Sequence, residues 1–204
     1  TLNVPTLAAH LTSLGKTFID AAIGQSSNSV NPSPHFLLIA SDSSAYSFGE
    51  GSDGQLGLGN KTDNNVPTQI TSSNISGKKP IAVAAGVKTS MLLMNDGSVF
   101  SFGNTHFVGF EGSSFTDKIV PTLLNSSQIH GKRALAITTN HKHSLALLDE
   151  GTALSFGSDA STSSRLGALG NGLPESGDET PQPIANFTWL SSPIPTSNLA
   201  LHLD

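Results

Sequence analysis

The chain has 204 residues and no cysteine, with 36% hydrophobic and only 12% charged residues and a formal net charge of −5. Without cysteine there are no disulfides, thiolate metal sites or cysteine nucleophiles, and the acidic balance argues against a general grip on nucleic acid, which needs clustered cations against phosphate. Twenty glycines and 11 prolines mark a turn-rich, β-rich chain covered by Ser, Thr and Asn rather than by charge.

In chain order, Thr1 to Leu14 opens on Val4-Pro5-Thr6, which reads as the middle of a repeat whose earlier part is cut away. Phe18 to Ile23 is a short apolar strand, Gln25 to Pro34 a Pro/Ser/Asn-rich loop, Phe36 to Ala40 a second strand and Tyr46 to Phe48 a third. The stretch Ser47 to Asn60, SFGEGSDGQLGLGN, then returns in weaker form: Phe48, Phe102 and Phe156, each inside Ser-Phe-Gly, fall at steps of 54 residues. Asp42, Asp96, Glu150 and Asp204 keep the same step, and two further tracks run beside them. One is Val4-Pro-Thr, Val66-Pro-Thr and Val120-Pro-Thr, continued by Pro181-Gln-Pro; the other is Ile19 to Gly24, Ile81 to Gly86 and Leu135 to Asn140. Such a period means that each repeat is one supersecondary unit that buries its apolar face against its neighbours.

Within the second copy, Ile81 to Ala85, Ser90 to Met94 and Ser98 to Phe102 read as strands, the last two joined at Asn95-Asp96-Gly97. Asp-Gly between apolar runs predicts a tight two-residue hairpin turn with positive φ. The third copy has Asp149-Glu150-Gly151 there. A fourth strand is expected on the Val-Pro-Thr track, where proline indicates an edge without a ladder donor. The glycine expected before the second strand becomes Asn140 in the third copy, a residue that tolerates positive φ. Several short strands per repeat, with no convincing amphipathic helix, predict four-stranded antiparallel blades of an all-β propeller. Repeats run over about 18–70, 80–124 and 134–184, with partial repeats 1–17 and 185–204 in a single segment. Asn198 to Asp204 matches the strand leading into the hairpin, so the chain reads as a piece of a longer or incompletely ordered one.

The motifs SFGEGSDGQLGLGN, IAVAAG with SMLLMNDGSVFSFG, and ITTNHKHSLALLDEGTALSFG resemble the repeats of the regulator of chromosome condensation family. That resemblance covers nearly the whole chain and implies a seven-bladed β-propeller, of which this chain holds about half. It does not fix one function, because the family includes an exchange factor for the GTPase Ran, ubiquitin-ligase modules, an ultraviolet sensor, scaffolds and an enzyme inhibitor. Where the first copy reads Gln55-Leu-Gly-Leu-Gly59, the second has Thr105-His-Phe-Val-Gly-Phe-Glu-Gly112 and the third Arg165-Leu-Gly-Ala-Leu-Gly170.

Gly49-Glu-Gly-Ser-Asp-Gly54 fits the dinucleotide fingerprint in letters, but that fingerprint must open a helix. Here Gln-Leu-Gly-Leu-Gly follows, so no cofactor is assigned. His141 and His143 could be two metal ligands on one strand. His143 aligns with His35, however, and no third ligand can be named, so packing or a structural hydrogen bond is the reading preferred and no metal is assigned. Asp53, Asp63, Glu111 and Asp159 stand singly in loops, as turn caps do, and no catalytic constellation emerges. Lys78-Lys79, Lys132-Arg133 and Lys142 read as solvated strand ends, and nucleic acid is an unlikely partner. Phe107, Phe110 and Phe115 replace small residues, either as exposed partner anchors or as fillers for missing equivalents of Leu56 and Leu58.

The sequence therefore predicts a non-enzymatic protein-interaction scaffold, holding a protein partner through blade-rim loops. Candidate contacts are Glu50, Asp53, His106, Phe107, Phe110, Phe115 and Asp159. Alternatives are nucleotide exchange on a Ran-like small GTPase, or a structural subunit among neighbouring subunits; further blades from this or another chain would complete the ring. No run approaches the roughly 20 apolar residues that cross a bilayer, and no charged leader precedes a long apolar stretch. The expectation is no membrane insertion and a soluble intracellular place, cytoplasmic or nuclear. Four glycosylation sequons, at Asn60, Asn74, Asn125 and Asn186, are about what chance gives in so Asn- and Ser-rich a chain.

Overall fold

The computed structural model describes residues 4–25, 33–106, 108–110, 116–140, 143–157 and 180–184. They form three four-stranded antiparallel sheets in sequence order. The first holds β1 (Phe18–Gly24), β2 (His35–Ala40), β3 (Ala45–Gly49) and β4 (Asn64–Gln69); the second β5 (Pro80–Ala85), β6 (Thr89–Met94), β7 (Val99–Gly103) and β8 (Lys118–Leu123). The third holds β9 (Ala134–Thr139), β10 (His143–Leu148), β11 (Ala153–Gly157) and β12 (Gln182–Pro183). β5 packs against β1 and β9, so the first strand of each sheet lies on a common inner edge. These are three consecutive propeller blades in an unclosed arc.

Period-two alternation sorts the strand side chains between neighbouring blades. Leu37 and Ala45 of the first blade meet Leu92, Met94, Phe100 and Phe102 of the second. Met91, Leu93 and Val99, from the second blade's other face, meet Ala146, Leu148, Leu154 and Phe156 of the third. The Ser-Phe-Gly phenylalanines are thus the plugs of successive joints, Phe102 and Phe156 each being fully buried.

The proline track forms the outer edge, as expected, in β4, β8 and β12. Prolines remove donors there, and hydroxyls occupy exposed carbonyls: Thr68 Oγ1 donates to Val66 O at 3.1 Å and Thr122 Oγ1 to Val120 O at 3.0 Å. Asn74 Nδ2 donates to Pro121 O at 2.8 Å. Carbonyls so engaged offer little to an added strand. The first Val-Pro-Thr departs from the track. Val4–Ser13 is a helix, α1, because proline suits a first helical turn and Leu-Ala-Ala-His-Leu favours helix.

The hairpin turns differ from the predicted two-residue form. Met94 N bonds Ser98 O and Gly97 N bonds Met94 O, both at 2.9 Å, and only Gly97, at φ +83°, has positive φ. Asn95 and Asp96 keep ordinary backbone, so the turn is a three-residue type I loop closed by a glycine bulge. Gly151 (φ 85°) repeats it, whereas the first blade places Ser43 there, at φ 65°. Each turn carries an acid bound to a lysine on the preceding connection: Lys16 with Asp42, Lys78 with Asp96, and Lys132 with Glu150 at 2.7 Å. The lysine bond and the Ser44 or Ser98 hydroxyl hold the Asp42 and Asp96 carboxyls well below the usual carboxylate range.

The expectation for Asn140 is also corrected. Neither Gly24 nor Gly86, its equivalents, has positive φ, and neither does Asn140. Close approach requires those glycines: a Cβ on Gly24 would stand 2.3 Å from Gly86 O, and one on Gly86 2.4 Å from Asn140 O. Asn140 has an exposed side and room for its side chain.

A left-handed residue other than glycine costs about 1–2 kcal/mol, partly offset by glycine's greater unfolded-state entropy. Ser43→Gly is therefore expected to stabilise the chain by about 0.5–1 kcal/mol in urea unfolding. Gly97→Ala should destabilise it, because its Cβ would also meet Arg133 Cβ at 2.7 Å.

Candidate functional site

The glycine-rich loop after β3, the most distinctive stretch of the sequence, folds over the second blade. Ser47 Oγ donates to Leu56 O at 2.6 Å and turns the loop inward. Gln55 and Leu56 are buried. Ser90 Oγ, on β6, donates to Gln55 O at 2.7 Å. Its hydroxyl has one proton, so it accepts from His35 Nε2, 2.9 Å away; Nε2 therefore carries the imidazole proton and Nδ1 is a buried atom without a partner. Burial lowers the His35 pKa to about 4.

Around this bond lie the other fasteners. Asp53 takes Lys88 Nζ at 3.1 Å and Asn104 Nδ2 at 2.8 Å, both from the second blade. Gly59 N bonds Ile119 O at 2.9 Å, and Lys61 pairs with Asp117 at 2.6 Å. Gly57, at φ +67°, lies against the Phe102 ring, with room for no Cβ: one would stand 2.8 Å from Cε2. Asp63 and Asp117 staple successive loops, accepting from Gly51 N and Thr105 N at 2.9 Å each.

The second loop repeats the plan with other residues. Gly109, at φ +80°, lies on Phe156 as Gly57 lies on Phe102. Val108 accordingly takes the place of Leu56 and is buried, and Phe110 takes that of Leu58, packed against the core between the second and third blades. Lys118 Nζ stands 5.3 Å from the Phe110 ring centre.

The family model for the regulator of chromosome condensation (RCC1) repeat matches residues 42–93. The human E3 ubiquitin-protein ligase HERC2 is 30% identical over 156 residues, covering 76% of this chain and 3% of that protein. The Xenopus laevis protein RCC2 homolog is 38% identical over 103 residues, or 50% of this chain and 18% of the relative. This chain belongs to the RCC1 repeat family.

Among solved structures, human WBSCR16 superposes with a TM-score of 0.66 at 26% identity, over 83% of this chain and 38% of that one. Prp20p of Saccharomyces cerevisiae gives 0.63 at 21%, over 78% and 41%, a likeness of fold. The chain thus spans well under half the length of these relatives. The matched RCC1 repeat begins at the first hairpin turn and ends in β6, so the sequence repeat straddles two blades and has the loop latch at its centre.

The RCC1 fold distributes the predicted contact residues unevenly. Asp53 belongs to the latch. Glu50 is half-buried and accepts from Ser52 Oγ at 3.2 Å; burial raises its pKa. His106 is half-buried, its backbone N held by Asn104 Oδ1 at 3.2 Å. Phe110 fills the core position, which matches the filler reading. Phe107, Phe115, Asp159 and His141 lie outside the described residues. No group of three His, Asp or Glu suited to a metal occurs among the described residues, and a loop rather than a helix follows the glycine fingerprint. Sequence reasoning missed Lys88, Ser90 and Asn104, the far half of the latch. No local motif marks them.

The unfolded chain protonates His35 near its ordinary value of 6.5, the folded chain only near 4. Its burial thus removes stability as pH falls through that window, by about 3 kcal/mol at the lower end, and His35→Gln should flatten that part of a denaturation-against-pH curve. Gly57→Ala should cost about 2 kcal/mol or more through strain and overpacking. Gly77→Ala, equally left-handed but with nothing within 4 Å, should cost about half as much.

Proposed function

We propose that the chain is a protein-interaction module in which latched blades hold rim loops rigid for a protein partner. The observation that supports this reading is the use of the loop carboxylates. Asp53, Asp63 and Asp117 are engaged by lysines and backbone amides of the same or the next blade, which gives the loops rigidity. Glu50 and His106 are the proposed contacts among the described residues, Asp53 anchors the first loop, and Phe107, Phe115 and Asp159 are proposed from the sequence alone. Further blades belong to the proposal: Leu145 is 41% exposed, whereas Leu37 and Met91, its equivalents, are fully buried by the next blade.

Nucleotide exchange on a Ran-like GTPase is the second reading, because the published description of Prp20p concerns its binding to Gsp1p and histones. The two separate in one pair of measurements. A scaffold should capture a discrete set of proteins by photo-crosslinking at the loops, a set diminished by Glu50→Arg with His106→Glu. It should leave the release of labelled GDP from Ran unchanged. Catalytic acceleration of release would favour exchange, and capture indifferent to the two substitutions would reject the loop surface.

A further inference from the structure

Three β-bulges recur at one place in the blades. In the first, Phe18 pairs with Ala40 and Asp20 with Ile39, leaving Ile19 without an opposite residue. In the second, Pro80 pairs with Met94 and Ala82 with Leu93, skipping Ile81. In the third, Ala134 pairs with Leu148 and Ala136 with Leu147, skipping Leu135. A bulge re-aims a side chain off the regular pleat, and each bulge here carries a large aliphatic. Ile19 is 60% exposed, Ile81 50% and Leu135 39%. Ile81 and Leu135 stay open although the preceding blade is in place, so blade packing does not explain them. Because β5 packs against both β1 and β9, the three lie in a row along the inner edge, at the hairpin-turn end of the sheets.

The residues just before the bulges set the charge of that row. Lys16, Lys78 and Lys132 are each neutralised by the acid of a hairpin turn. Lys79 and Arg133, two positions ahead of Ile81 and Leu135, are exposed and have no carboxylate partner among the described residues. Asp20, at the same end, is turned into the joint and accepts from Val83 N at 2.9 Å; Asp149 is the one further exposed acid on these three turns without an ion pair. Exposed aliphatics alternate with uncompensated cations in a chain that is otherwise acidic.

We propose that this row is a docking surface for an acidic amphipathic segment of another protein, its apolar side chains covering Ile81 and Leu135 and its carboxylates reaching Lys79 and Arg133. It lies at the opposite end of the sheets from the glycine-rich loops, so it stands or falls independently of the rim-loop reading.

The probe is a short fluorescein-labelled peptide alternating Glu and Leu, with a Lys and Leu peptide of equal length as the comparison, followed by anisotropy. The Glu-Leu peptide is expected to bind, more weakly as salt rises. Ile81→Ser with Leu135→Ser should weaken it about tenfold or more, and Lys79→Glu with Arg133→Glu should reverse the preference between the peptides. These side chains are exposed, and circular dichroism checks that both variants keep their sheets. If the native chain binds neither peptide, or both alike, or if the charge-reversed variant keeps the original preference, the proposal is overturned.

Discussion

A propeller blade is a sheet with two apolar faces and no core of its own, so everything in this molecule depends on the joint between one blade and the next. The sequence meets that constraint with one device. After the third strand the chain leaves its own blade, turns on glycines and binds the backbone and side chains of the blade that follows. The phenylalanine of Ser-Phe-Gly plugs the joint from the next blade, and the glycine at position 57 or 109 leaves room for that ring. The unit that recurs in sequence is therefore phase-shifted from the unit that forms a sheet, and a repeat ties two blades together covalently as well as by contact.

Electrostatics plays a secondary part at the joint. The ion pairs of the hairpin turns are exposed and contribute little each, while at the joint a buried neutral set of a histidine, a serine hydroxyl and a backbone carbonyl is flanked by the contacts of the Asp53 and Asp117 carboxylates. Keeping His35 uncharged suits that arrangement, in which an imidazole, with one donor and one acceptor, faces the Ser90 hydroxyl and lies against Gly24. In the second blade Thr89 takes the same place, buried and with its hydroxyl unpartnered, so the joint accepts variation in its polar centre while the phenylalanine plug is repeated.

Much of the fold was legible in the sequence, because strands, turns and blade edges are local and periodic. Ser-Phe-Gly, the Val-Pro-Thr track and the turn acids each located an element. The helix Val4–Ser13 was not legible, since Val-Pro-Thr is compatible with an edge strand and with a first helical turn. The bulges were hidden too: Ile19, Ile81 and Leu135 align perfectly as strand residues, and register is a property of two strands together. The site was the least legible part. Its contacts join residues 35, 51, 55 and 56 positions apart, and a period of 54 identifies equivalent residues rather than touching ones. Asp53 read as a surface loop acid because its partners, Lys88 and Asn104, carry no motif.

The account rests on the glycine-rich loop being a latch between blades, and a double-mutant cycle tests that most directly. Asp53→Ala, Asn104→Ala and the double variant would be compared by urea unfolding. A latch predicts a coupling of about 1 kcal/mol, in which the second substitution costs little once the first has been made. Strict additivity of the two would mean that the loop merely lies beside the second blade, and would contradict the account.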